Sequence, residues 1–314
     1  MYPTSEVRRA ALLNLPLLPT TLDTILTRTR DTDVVTRKLV YSHVLQTKLG
    51  HPRHLTIGQR EQIIKDGLGD REPSVRLAAG KLVASWFDLV LPERDAEGMA
   101  WVGDDAGVMK GFVKFLTLFD VVGPGEVVAV DAMLSIFVTR PNLTEVFVFP
   151  GLSLTFLCSR LLKRVHIDSY WKQLTPETAV LARVFLEHCV NSQNEARLEG
   201  ASLPVVTAFA FYLQEEYNGL LGILQEAENA VFLNVGDVDE EEVARREEEL
   251  AEKEAILGQL LQIVLNLDHG DEIGRRKLFS VVRAYPIILS HFQSIYWNIL
   301  VQAIWLPIQN CHRG

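Results

Sequence analysis

Two short patterns in the first part of this chain repeat each other. Asp31 precedes Arg37 by six residues, Asp70 precedes Arg76 by six, and the two copies are offset by 39 residues. Each pair sits at a turn that leads into an amphipathic stretch. A helical hairpin of about 40 residues is too small to bury its own apolar face, so hairpins at this period stack and share one core. The repetition therefore predicts an all-α solenoid of stacked antiparallel helix hairpins.

About 40 residues is the period of HEAT-like arrays. In such units the turn aspartate and the arginine six residues later are expected to form a ladder of charge-assisted hydrogen bonds between neighbouring repeats. Asp31, Arg37, Asp70 and Arg76 are the candidate members. A fragmentary earlier copy lies at Glu6-Val-Arg-Arg-Ala-Ala-Leu12, and a looser later one at Asp271 to Leu278 contains Arg275-Arg276-Lys277.

Local signals agree with helices and not with strands. Apolar residues from Val34 to Leu49 recur every four or five positions, as on one face of a helix, and Gly50-His51-Pro52 ends the run. Thr56 and Gln59 have the spacing of a capping box, with Ile63, Ile64 and Leu68 on the buried side. After a break at Gly67 to Asp70, Pro73 is placed where a first helical turn has no donor to lose. Val75, Ala78, Ala79, Leu82, Val83, Trp86 and Val90 then mark a third helix. Further helices are expected over 111–119, 127–137, 152–165, from Thr175-Pro176 through Cys189, and over 204–224. Gly123-Pro-Gly125 reads as a turn. The array is thus expected over 1–225, an acidic insertion or solvated helix over 226–254, and further hairpins over 255–314. Tryptophans 86, 101, 171, 297 and 305 fall within or beside these patterns and are expected to pack in the core.

Composition narrows the function classes. Apolar residues make up 48% of the 314 positions and charged ones 23%, enough apolar side chain to offset chain entropy and exclude global disorder. The three cysteines, Cys158, Cys189 and Cys311, are far apart and fit neither a disulfide framework nor a zinc site. The N-terminus lacks the order of a secretory leader. Ile287 to Leu306 is long enough to span a bilayer, at roughly 20 residues. Its serines, histidine, glutamines and asparagine instead favour a buried solenoid helix over a membrane span.

Charge is unevenly distributed. Residues 1–90 carry 13 Lys and Arg against 9 Asp and Glu, whereas Glu226 to Glu254 alone nets −9. Lys38, Lys48, Arg53, Arg60, Lys65 and Lys81 fall within two successive hairpins, and with Arg37 and Arg76 they form a candidate phosphate-contacting cluster on double-stranded DNA. An ordinary solvated face accounts for the same residues equally well. No phosphate-cradling, dinucleotide, nucleophile-elbow or zincin motif is present, and no cofactor is implied. His43, His51 and His54 lack ligand partners at metal spacing. Glu187-His188-Cys189 places a base beside a nucleophile in sequence, but neighbours on a helix point in different directions, so a structural role is favoured over a helical hydrolase. A HEAT scaffold or adaptor that binds only proteins is the other alternative.

Several stretches carry a more specific likeness. They run from Arg30-Asp-Thr-Asp-Val-Val-Thr-Arg-Lys-Leu-Val-Tyr41 through Thr56-Ile-Gly-Gln-Arg60 and Gly67-Leu-Gly-Asp-Arg71 to Ser74-Val-Arg-Leu-Ala-Ala79, with weaker matches at Leu174 to Ala179, Val205 to Tyr217 and Ile256 to Leu278. In this order they resemble the HEAT-repeat subunit 3 family of eukaryotic condensin. The resemblance implies a non-catalytic subunit that binds the kleisin of a complex built on two SMC ATPases, which it meets indirectly. It also implies help in clamping double-stranded DNA, with the protein in the nucleus and on condensed chromosomes, and in the cytoplasm for part of the cell cycle. Members of that family are about three times longer, so the chain reads as an internal piece or a shortened product.

Overall fold

The computed structural model describes residues 4–91, 105–145, 170–200, 203–232, 240–267 and 269–284. Every regular element among them is helical. The expected helix at 152–165, Trp101, Trp297, Trp305, Cys158, Cys311 and the apolar run 287–306 lie outside the described residues. Among the described residues no helix is long and apolar enough to cross a membrane. The chain forms two compact units, Met1–Val148 and Phe149–Gly314.

The first unit begins with α1 (Ser5–Asn14) and α2 (Pro19–Leu26), then a short 3-10 turn. α3 (Val34–Leu39) passes through a π-helical stretch, Val40–Leu45, into α4 (Gln46–Lys48). α5 (Ile57–Leu68) completes the first copy of the repeat, and α6 (Pro73–Val90) opens the second. α7 (Asp105–Leu116), α8 (Glu126–Thr139) and the short α9 (Asn142–Glu145) follow. The boundaries obey the expected chemistry. Thr56 and Gln59 cap each other's backbone donors at 3.2 and 3.0 Å, and α6 starts on Pro73.

α6 is the central helix of this unit, packing against the π-helical stretch, α5 and α8. Val75, Ala79, Leu82, Val83, Trp86, Phe87 and Val90 on α6 are buried, so the stripe read from the sequence is its core face. Next to it an aromatic cluster forms. Phe87 stacks on Phe112 at 4.6 Å between ring centroids, and Phe112 meets Phe137 edge-on at 5.6 Å. Phe115 joins through Phe87 and Phe119. Gly67 is obligatory for close packing, because a Cβ there would stand 2.6 Å from that of Ala79 and 2.7 Å from the Tyr41 ring.

The second unit contains α10 (Pro176–Asn191), α11 (Glu195–Gly200), α12 (Val206–Phe232), α13 (Glu240–Val264) and α14 (Glu272–Ala284). Thr175 caps α10 and Pro176 opens it, as the sequence implied. α13 packs against α10 and α12, and α12 also against α14. Trp171 and Phe209 meet edge-on at 5.3 Å within this core. α13 is divided along its length. Its glutamate-rich first half is mostly solvated, with Glu242 paired to Arg245 and Arg246, while Ile256, Leu257, Leu260, Leu261 and Val264 are buried. The acidic run up to Glu254 is thus continuous with a core helix. Where it approaches the core, Lys253 pairs with the buried Glu216 at 2.7 Å.

Candidate functional site

The ladder is built, and it begins one repeat earlier than the Asp31 and Asp70 pattern alone indicates. Arg8 grips Asp31 with Nε and Nη2 at 2.9 and 2.7 Å. Arg37 grips Asp70 with the same two nitrogens at 2.7 and 3.0 Å. Each rung joins an arginine on one helix to the turn carboxylate of the next repeat. Arg37 uses its remaining Nη1 on the Asp31 carbonyl at 2.9 Å, and Arg76 does likewise to the Asp70 carbonyl at 2.7 Å. Each turn aspartate also accepts an amide two residues on, Asp33 in one case and Glu72 in the other. A second pair runs alongside, with Arg9 bidentate to Asp33, the N-cap of α3.

The register behind this is simple. Each repeat arginine stands four residues after its N-cap: Arg8 after Thr4, Arg37 after Asp33, Arg76 after Glu72. With Thr4 as the N-cap, that spacing assigns the fragmentary copy to Arg8. It also fixes the register of the later copy. Arg275 follows Asp271 by four and donates to the His269 carbonyl at 2.9 Å, so histidine occupies the position of the turn aspartate there.

The rungs are partly withdrawn from water. Burial pushes the Asp31 and Asp70 carboxyls up, but Arg8 and the Asp33 amide in one case, and Arg37 and the Glu72 amide in the other, bring both below the ordinary aspartate range. The Arg9 and Thr36 bonds depress Asp33 further. Carboxyls depressed in this way favour the folded state above their unfolded value of about 4 and lose that contribution as the pH falls through their folded values. Thermal melts followed by circular dichroism are therefore expected to show a falling Tm below about pH 4. An unchanged Tm between pH 5 and pH 2.5 would contradict the depressed carboxyls.

The basic cluster separates into two groups. Lys38, Arg53, Lys65 and Lys81 are exposed. Arg60, expected among the DNA contacts, is only 7% exposed and donates to the carbonyls of Leu118 at 2.6 Å, Leu55 at 2.9 Å and Pro52 at 3.2 Å. Burial lowers its pKa. It is a structural clamp, because three buried carbonyls need its donors. Glu61 beside it accepts the Asp120 amide at 2.9 Å, so the two side chains of α5 together hold the turn before α8. Lys48 is likewise committed, bridging the Leu13 and Leu15 carbonyls at 2.7 Å each at the end of α1.

Nothing in the α10 triplet is arranged for nucleophilic chemistry. Cys189 is buried and burial pushes its thiol up to about 11, so it is protonated at neutral pH. Burial lowers His188. Among the described residues no group of three or more His, Cys, Asp or Glu is placed to hold a metal ion.

Comparison with known proteins gives these repeats a context. No family model matches the chain. Condensin complex subunit 3 of Schizosaccharomyces pombe is 31% identical over 279 residues, 88% of this chain and 25% of that protein. The human subunit is 30% identical over 286 residues, 90% of this chain and 24% of its own length. A crystal structure of the S. pombe condensin Cnd3–Cnd2 subcomplex superposes with a TM-score of 0.70 at 28% identity, covering 96% of this chain and 32% of that one. The chain is homologous to part of condensin complex subunit 3. The Saccharomyces cerevisiae subunit agrees, at 28% identity over 284 residues. The chain spans between 22% and 25% of the length of these condensin subunits. The match covers 88–90% of the chain, well beyond the stretches that carry the resemblance in the sequence.

Proposed function

We propose that the chain is a non-catalytic HEAT-repeat segment acting in chromosome condensation, where it holds a kleisin chain and double-stranded DNA. The observation that carries this reading is the similarity to condensin complex subunit 3 along 88–90% of the chain. One such relative was crystallised together with Cnd2, which supports a counterpart of Cnd2 as the protein partner here. SMC ATPases are then met indirectly through that partner, ATP hydrolysis is theirs, and the place of action is the nucleus and condensed chromosomes.

For DNA the contact is electrostatic. Lys38, Arg53, Lys65 and Lys81 remain exposed in a region of net positive charge, while Arg60 and Lys48 are withdrawn from the set. Lysine and arginine on phosphates release condensed counterions, so affinity falls with salt by roughly 0.9 log unit per log unit of salt for each contact. Fluorescence anisotropy on a random-sequence duplex across a salt series tests this. The quadruple variant K38E/R53E/K65E/K81E is expected to bind at least tenfold more weakly at about 0.1 M salt, with a shallower salt slope. Equal binding by the variant removes these residues from the DNA interface. Co-purification with the Cnd2 counterpart tests the kleisin part separately, since a chain that captures the kleisin but no DNA is a protein-binding scaffold.

A further inference from the structure

The ladder stops after two rungs, and its open end is informative. By the N-cap register, the position in the third repeat equivalent to Asp31 and Asp70 is Gly123, two residues before the α8 N-cap Gly125. Glycine has no carboxylate to offer, and a side chain cannot be accommodated without rearrangement, because a Cβ at Gly123 would lie 2.1 Å from Oδ2 of Asp120. This turn is secured by other means, through Arg60 on the Leu118 carbonyl and Glu61 on the Asp120 amide.

Arg76 is consequently left half used. Its Nη1 is engaged by the Asp70 and Arg71 carbonyls at 2.7 and 2.9 Å, just as Nη1 of Arg37 is engaged by Asp31. The other edge, Nε with Nη2, is the edge that grips a carboxylate in both Arg8 and Arg37. On Arg76 that edge meets no acceptor among the described residues. The intrarepeat half of the bond set thus pre-orients a fork whose partner is missing.

The surroundings of this fork define what fits it. Arg76 lines a groove of 390 Å³ between α6 and α8, together with Leu77, Gly80, Asp131, Leu134 and Val138. Leu77 is 63% exposed and Val138 75% exposed, unusual values for aliphatic side chains that flank one cleft. A DNA backbone offers phosphates but no apolar groups to cover the walls formed by Leu77, Leu134 and Val138. A polypeptide can supply both parts.

We propose that the α6–α8 groove is a docking site for a peptide segment of a partner protein, whose Asp or Glu carboxylate closes the Arg76 fork while a neighbouring aliphatic side chain lies between Leu77, Leu134 and Val138. The carboxylate takes the place that a turn aspartate holds in the two preceding repeats, so the partner continues the ladder in trans. A planar guanidinium with one edge already fixed loses little further entropy when the second edge is filled. The site stands on the geometry of the groove alone and does not require that the partner be the kleisin.

The test uses a phage-displayed library of random 12-residue peptides panned on the full chain, followed by anisotropy with a labelled peptide of the enriched sequence. Enriched peptides are expected to place Asp or Glu next to Leu, Ile, Val or Met. R76A is expected to weaken binding about tenfold or more, the usual scale for losing a charge-assisted bidentate pair. Neutralising the peptide's acidic residue should cost a similar factor on the unsubstituted chain and little on R76A. Because Arg76 also braces its own turn, V138E serves as a second variant at an exposed position, with the same loss expected and an unchanged circular dichroism melt. The proposal is overturned if no acidic and aliphatic consensus is enriched, or if the neutralised peptide binds equally well. It is equally overturned if R76A lowers affinity for random-sequence duplex DNA while leaving peptide binding intact, which would make Arg76 a phosphate contact.

Discussion

Replacing Asp70 with alanine is expected to cost about 3 kcal/mol, a large share of the stability of a unit this size. The Arg37 and Asp70 side chains are each 6% exposed, and their bidentate contact is the rung that ties the Asp31 repeat to the Asp70 repeat. Removing one partner strands the other, leaving a guanidinium near the core with its Nε and Nη2 donors unsatisfied. The same carboxylate also organises its own turn by accepting the Glu72 amide at 2.8 Å, so local order is lost with it. Removing both charges together, as in R37M/D70A, is expected to restore much of the loss, because no buried charge is then left alone. Urea denaturation of the four chains in this double-mutant cycle checks both statements. If D70A alone shifts the midpoint by less than the equivalent of about 1 kcal/mol, the rung is a decoration on a stack held by apolar contact.

The second large effect is expected at Phe112. Its ring is fully buried, stacked on Phe87 and edge-on to Phe137, so it links α6, α7 and α8. Phe112→Ala removes that area from the core and leaves a cavity that three helices cannot close without moving. The expected cost is about 4 kcal/mol, the scale measured for buried Phe-to-Ala substitutions. Phe112→Leu, which keeps most of the volume, is expected to cost clearly less. Denaturation followed through the fluorescence of the buried Trp86, on the same helix as Phe87, reads the change. Equal midpoints for the alanine and leucine variants would show that the aromatic cluster relaxes around the gap.

Much of the fold was written in local chemistry. The Thr56 box, Pro73 at the start of α6 and the Thr175-Pro176 opening of α10 need only neighbours in sequence, and all three formed as read. Arg37 and Arg76 were legible for the same reason, since each stands at a fixed distance from its own N-cap. Arg60 was not legible. On sequence it is one more basic residue on a solvated helix, and it becomes a buried clamp only because the Leu118 carbonyl, far along the chain, arrives beside it. Lys48 is committed in the same way to the carbonyls that end α1.

The sequence by itself determined the class of structure, several helix starts, and which arginines and aspartates in the first two repeats were available for a ladder. It also carried a resemblance that comparison of whole chains then extended. The tertiary structure alone decided which partner each arginine took, that the ladder begins at Arg8, and that it halts at Gly123 with one edge of Arg76 unfilled. The physical reason is range. Capping and periodicity act within a turn or two of helix, whereas the pairing of a charge depends on which carbonyl or carboxylate a neighbouring repeat brings within about 3 Å.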